Sequence, residues 1–141
     1  MTLNSKTLIA SSLVISAAAI TYQATAEARP HPDQSGVCYF YRGDTQEILE
    51  PCVISSGYGA GAHYAILRWS DGVETNITMI NFCPDEDHDD GGFCRYTVDD
   101  YDAEPYERNV FLDPTTIPDA DNLPCYRVIE TGNSVCYRFD A

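Results

Sequence analysis

The chain has 141 residues, 22 Asp and Glu against eight Lys and Arg, and a formal net charge of −14. A field of that sign repels nucleic acid and anionic membrane surfaces and draws cations and basic partners toward it. The length bounds the chain to one domain, and six cysteines make disulfides available to reinforce a modest core.

The first 26 residues have the organisation of a secretory leader. Lys6 supplies a positive charge, residues 8–20 are apolar, and Ala24 and Ala26 fit an Ala-x-Ala cleavage site. The apolar run is shorter than the roughly 20 residues a membrane span needs, and no later segment is apolar enough to span. Removal of residues 1–26 would take away Lys6 and leave seven Arg against all 22 carboxylates. Residues 27–36, with Pro30, His31 and Pro32, have the composition of a flexible arm. Residues 37–141 then form a single disulfide-rich domain, secreted or periplasmic.

Beyond the arm, Tyr, Val, Ile, Thr and Phe gather in short runs separated by Gly, Pro, Asp and Asn, a pattern of strands and turns. Strands are expected at 37–42, 48–54, 63–69, 73–80, 93–98, 108–112, 124–130 and 134–139. Residues 57–61, with three glycines, look like a loop of high backbone freedom. Pro114, Pro118 and Pro124 mark an extended connection poor in ladder donors. The expected fold is all-β: a small disulfide-stapled antiparallel sandwich or irregular barrel.

Asp71-Gly72 is a strong hairpin signal. A two-residue turn there sets Arg68 opposite Thr75, Ile66 opposite Ile77 and Tyr64 opposite Met79. That register assigns Tyr64, Ile66, Ile77 and Met79 to the core, with Trp69 on the other, mixed face under a second layer.

The cysteines fall in successive pairs, Cys38/Cys52, Cys83/Cys94 and Cys125/Cys136. Neighbour pairing is expected for the first two. For the third, a two-residue turn at Gly132-Asn133 would put Ile129 opposite Cys136 and leave Cys125 roughly 13 Å further along the strand, beyond disulfide reach. A wider turn or another connectivity is then required. No Cys-x-x-Cys suits zinc, and the even count leaves no obvious free nucleophile.

The sharpest chemical cluster is Asp85-Glu-Asp-His-Asp-Asp-Gly-Gly92. Asp85, Asp87 and Asp89 alternate as calcium ligands do, and Asp90 beside them is a fourth candidate oxygen donor. An EF-hand is excluded because Asp90 stands where the loop needs glycine and Tyr96 where it needs a bidentate Glu. Asp99, Asp100, Asp102 and Glu104 are candidate additional ligands. Calcium is thus the one cofactor indicated, and a basic extracellular protein the alternative partner of this acidic face.

For catalysis, His63 beside the glycine-rich stretch, with Ser55, Ser56 and Ser70 as hydroxyls, is the available set. No Gly-x-Ser-x-Gly elbow surrounds it, and the balance is against an enzyme. Asn76-Ile-Thr78 fits the N-glycosylation pattern, and Arg42-Gly-Asp44 marks a strand end and turn. Ser56-Gly57, Tyr64 and Trp69 resemble, at a different spacing, the Ser-Gly…Tyr…Trp pattern of periplasmic inhibitors of c-type lysozyme; no residue role follows from it. The expected function is a secreted, non-enzymatic binding module with an acidic face, ahead of a structural envelope or matrix protein and a small secreted hydrolase.

Overall fold

A computed structural model describes residues 28–83 and 92–140. The described chain is all-β: β1 (Arg29–Pro30), β2 (Gln34–Arg42), β3 (Thr45–Gly59), β4 (Ala62–Arg68), β5 (Glu74–Ile80), β6 (Arg95–Val98), β7 (Tyr101–Arg108), β8 (Pro114–Thr115), β9 (Leu123–Val128) and β10 (Ser134–Phe139). Eight of these strands close an antiparallel barrel in the order β2-β3-β4-β5-β6-β7-β9-β10, and β10 pairs back onto β2. The two short extra strands lie on β3 and β7. Of the two expected architectures, the chain adopts the barrel.

Sequence-adjacent strands pair because the turns between them are tight. Ala60-Gly61 and Asp99-Asp100 are two-residue connections with both residues at positive φ (50° and 75°, 48° and 68°), the backbone twist that hairpins favour. The Asp71-Gly72 signal does mark a hairpin, but its loop is one residue longer than expected. Trp69 N donates to the Val73 carbonyl and Gly72, at φ 85°, to that of Trp69. The register therefore slips by one, pairing Ala65 with Ile77 and Leu67 with Thr75. A one-residue slip exchanges the two faces of a strand. Ala65, Leu67 and Trp69 line the core, whereas Tyr64 and Ile66 face outward and only Ile77 and Met79 of the expected four face in.

An eight-stranded barrel has an interior that side chains can fill or that can hold one small ligand. Here Cys38, Ile54, Leu67, Trp69, Ile77, Val98, Tyr126 and Val135 fill the middle. The Trp69 indole donates to Thr75 Oγ1 at 3.0 Å within this layer. Full burial of each large apolar side chain contributes about 1.5–3 kcal/mol.

All three neighbour disulfides form: Cys38–Cys52, Cys83–Cys94 and Cys125–Cys136. The third is reached by a wider turn, in which Val128 N donates to the Asn133 carbonyl, so that Cys125 stands directly opposite Cys136. Their neighbours Tyr126 and Val135 point inward, so alternation puts this disulfide on the outside of the wall. There it forms a second core with Tyr41 and Leu123, with Tyr106 and Leu112 packed against it. The connection from β7 to β9 supplies Leu112 and so folds over this outer face.

Several boundaries differ from expectation. The 57–61 stretch is largely strand, and Gly57 answers to close approach rather than freedom: a Cβ there would meet Arg29 O at 2.7 Å. The expected arm is partly tied down, since Arg29–Pro30 pairs with Tyr58 and Gly57, His31 N donates to Ser56 O, and β2 opens at Gln34. The 108–112 segment is a turn, and the strand lies before it, at Tyr101–Arg108. That strand accommodates Pro105 because β6 pairs with β7 only as far as Ala103, leaving no neighbour to require the missing N–H.

Candidate functional site at the terminal end of the barrel

One end of the barrel gathers the Ala60-Gly61 turn, the β5–β6 and β7–β9 connections and the chain termini. The other carries the remaining four hairpin turns. At the terminal end, rings run in unbroken sequence: His31, Tyr58, His63, Phe93, Tyr96, Tyr126, Tyr137 and Phe139, with successive centroids 5.2–6.4 Å apart. They follow from inward positions near the ends of β3, β4, β6, β9 and β10. Burial pushes the Tyr126 phenol far above its ordinary pKa, with Tyr137 adding to the shift, and burial likewise raises Tyr137 and Tyr96. These three phenols are neutral at physiological pH, and Tyr126 Oη donates to Met79 Sδ at 3.4 Å. Because β6 is short, the wall beside it opens into a cleft of about 410 Å³ lined by Met79, Phe93, Tyr96, Pro105, Pro124 and Tyr126.

The β7–β9 connection leaves from the same end and begins with a rigid turn. Asn109 N donates to the Asp113 carbonyl, and Leu112 N to that of Asn109. Asn109 Oδ1 accepts from the backbone of both Phe111 and Asp113. From below, the Arg108 guanidinium donates to the Leu112 carbonyl at 2.7 Å. Leu112 is turned onto the outer core, and its neighbours Val110 and Phe111 point to solvent, Phe111 82% exposed. Asn122 fastens the far part of the connection through Glu107 Oε2 and the Ile117 carbonyl. Reading 108–112 as a strand hid this feature; Asn109 and Asp113 framing the apolar triplet was the available turn signal.

Asp85, Asp87, Asp89 and Asp90, with His88, lie outside the described residues. Their anchors, Cys83 and Cys94, are bonded to each other, and Cys94 N donates to the Ile80 carbonyl. Of the expected supplementary ligands, Asp102 and Glu104 line one cavity with these anchors, and Asp99 and Asp100 do not. Asp99 and Asp100 stand at the hairpin end of β6, Asp102 pairs with Arg95 at 2.6 Å, and Glu104 pairs with Arg127 at 3.7 Å. Among the described residues no three His, Cys, Asp or Glu side chains are grouped to hold a metal ion.

His63 stacks between Tyr58 and Phe93. Ser55 donates to Asp33 Oδ1 at 2.7 Å, Ser56 pairs with Ala65 in the ladder, and Ser70 belongs to the β4–β5 turn. The expected hydrolase set is thus dispersed. Arg42-Gly-Asp44 forms the β2–β3 turn, with Asp44 facing Arg108 and Arg127. No described helix is long and apolar enough to cross a membrane. Three disulfides accord with an oxidising compartment. No protein-family model, curated protein or solved structure matches this chain.

What the arrangement offers chemically is recognition. It combines tyrosine and phenylalanine faces suited to cations, a displayed apolar side chain, and an acidic chain.

Proposed function

We propose that this protein is a secreted, non-enzymatic binding module that holds a basic protein partner through the 109–113 turn and the adjoining terminal end. One observation carries the reading: a phenylalanine 82% exposed on a turn that five hydrogen bonds hold in one conformation. An aromatic anchor that is already ordered loses little entropy on docking, and such anchors dominate interface energies. The charge of −14 selects the sign of the partner and accelerates encounter.

Immobilised protein challenged with a panel of basic proteins, a c-type lysozyme among them, and with acidic proteins of similar size tests this. Selective binding to a basic protein, weakened by salt and reduced about tenfold or more by Phe111→Ser with the fold intact, supports the reading. Binding indifferent to salt and to Phe111→Ser, or no selectivity by charge, removes it.

The alternation of Asp85, Asp87 and Asp89, with Asp90 beside them, favours a second reading, in which this acidic run binds calcium. Calorimetric titration with calcium, against Asp87→Asn/Asp89→Asn as control, decides it: saturable binding lost in the double variant is expected, and no heat in the unaltered protein excludes the site.

A further inference from the structure

We propose that the hairpin end of the barrel holds a separate site for a small apolar primary amine. The interior is filled at mid-height, but beneath the hairpin turns it leaves a pocket of about 180 Å³. Phe40, Val98, Val128 and Val135 form its apolar walls, and Thr75 lines it where the Trp69 indole is bonded. A cavity of about 150 Å³ lined by apolar side chains admits benzene, so this one has room for a single ring bearing a short arm.

Thr131, Asn133 and Ser134 add neutral polar groups to the lining, and the charge there has one sign. Asp99 lines the pocket, as does Tyr101, which is 56% exposed. Asp99 is held there by a reciprocal pair of bonds, its N donating to the Asn76 carbonyl and its Oδ1 accepting from Asn76 N, both at 2.8 Å. Among the described residues its second carboxylate oxygen accepts no hydrogen bond. Among the described residues no lysine or arginine lines the pocket. A neutral aromatic ligand would leave Asp99 without a counter-charge, and an aromatic acid would meet it with like charge. An aryl-alkyl ammonium satisfies both, with the ring among the valines and the charge at Asp99. The protein's negative field adds to its local concentration.

Trp69 is the one tryptophan in the chain and its partner Thr75 lines the pocket, so indole fluorescence reports occupancy. The purified, oxidised protein would be titrated with phenethylamine, 2-phenylethanol and 3-phenylpropanoate. Phenethylamine should saturate the signal, 2-phenylethanol should bind about tenfold more weakly, and 3-phenylpropanoate should not bind. Asp99→Asn, which keeps an oxygen for Asn76 N, should weaken phenethylamine about tenfold and leave the alcohol unchanged, the loss of one charged hydrogen bond. Val128→Phe should abolish binding of both by filling the pocket, and Val98→Phe repeats that test should the first variant fold poorly. Absence of saturable binding by the folded protein, equal affinity for amine and acid, or binding that survives a folded pocket-filling variant would each overturn the assignment. The last outcome would move the amine to the aromatic terminal end.

Discussion

The Arg108 guanidinium lies 3.8 Å from the centroid of the Tyr41 ring, on the outer wall of the barrel. Although outside the barrel, Arg108 is 2% exposed. Its nitrogens reach Tyr106 Oη, the Leu112 carbonyl and Asp44, so one planar cation joins the β2–β3 turn, β7 and the base of the 109–113 turn. A planar fork is needed for this, and a lysine ammonium does not reproduce it.

Arg108→Ala should therefore destabilise the protein by about 3 kcal/mol, the combined scale of a desolvated cation–π contact and a charged hydrogen bond. Arg108→Lys should recover less than half of that. Asp44 is 77% exposed in its side chain, so removing Arg108 leaves no buried anion behind. Denaturant unfolding measures the loss, and faster amide exchange at Leu112 in both variants checks that the turn depends on the guanidinium.

The three disulfides should open in a fixed order. Cys83 and Cys94 are half-buried, whereas Cys38, Cys52, Cys125 and Cys136 are each at most 7% exposed. Thiol attack requires access to a sulfur. Under limiting reductant in native conditions, mass mapping should find Cys83 and Cys94 alkylated first, with the other two bonds intact until unfolding. Early labelling at Cys125 or Cys136 would contradict the outer core.

Alkali should unfold the barrel through its aromatic end. Tyr126 and Tyr137 have raised pKa values because burial opposes the phenolate. Their contribution to stability is complete below the ordinary phenol value of 10.0 and is lost progressively as pH climbs from there through the raised values. An ultraviolet titration should show a late group of tyrosines that ionises only as the fold is lost. Tyr126→Phe should shift that transition to higher pH, with neutral stability changed by no more than about 1 kcal/mol.

Acid should act through a carboxylate just ahead of β2. The hydrogen bond from Ser55 and then that from Arg68 hold the Asp33 carboxyl below its ordinary value of 3.8. A depressed acid stabilises the fold above its unfolded pKa, and that contribution disappears as pH falls through the lowered folded value. Amide exchange at His31, whose N–H is bonded to Ser56, should accelerate below about pH 3.8, and Asp33→Asn should remove that dependence.

The sequence made the strands legible where inward residues were apolar and turns carried glycine, as in β2, β4, β5 and β10. It failed at β7, where exposed Asp102 and Glu104 alternate with Ala103 and Pro105 and Glu107 takes the next position on the Ala103 face, because the apolar half of the period is too small to register as a strand. It also misjudged the β4–β5 faces: Asp71-Gly72 signals a turn but not whether two or three residues form it, and that single residue decides whether Leu67 or Ile66 meets the core. The 109–113 turn is masked because Val110-Phe-Leu112 imitates a strand locally, and what turns Leu112 away from Phe111 is its packing on Tyr41, Leu123, Cys125 and Cys136, residues far from it in sequence. Local pattern cannot report a contact made across the wall.

The meander has a consequence for how the molecule is made. Every barrel strand except the last finds its partner next to it in sequence, so pairing can advance from the β2–β3 hairpin onward with little loop-closure entropy at each step. The ring shuts only when β10 returns to β2 and brings Phe139 beside Gly36. Until then two raw edges stand open, and Cys125 waits for a sulfur carried by that same final strand. Folding thus ends in a long-range event that the sequential pairing cannot hasten. A chain cut short before Ser134 would be a curled sheet with an unpaired thiol rather than a slightly smaller barrel, exposing the edges that invite aggregation.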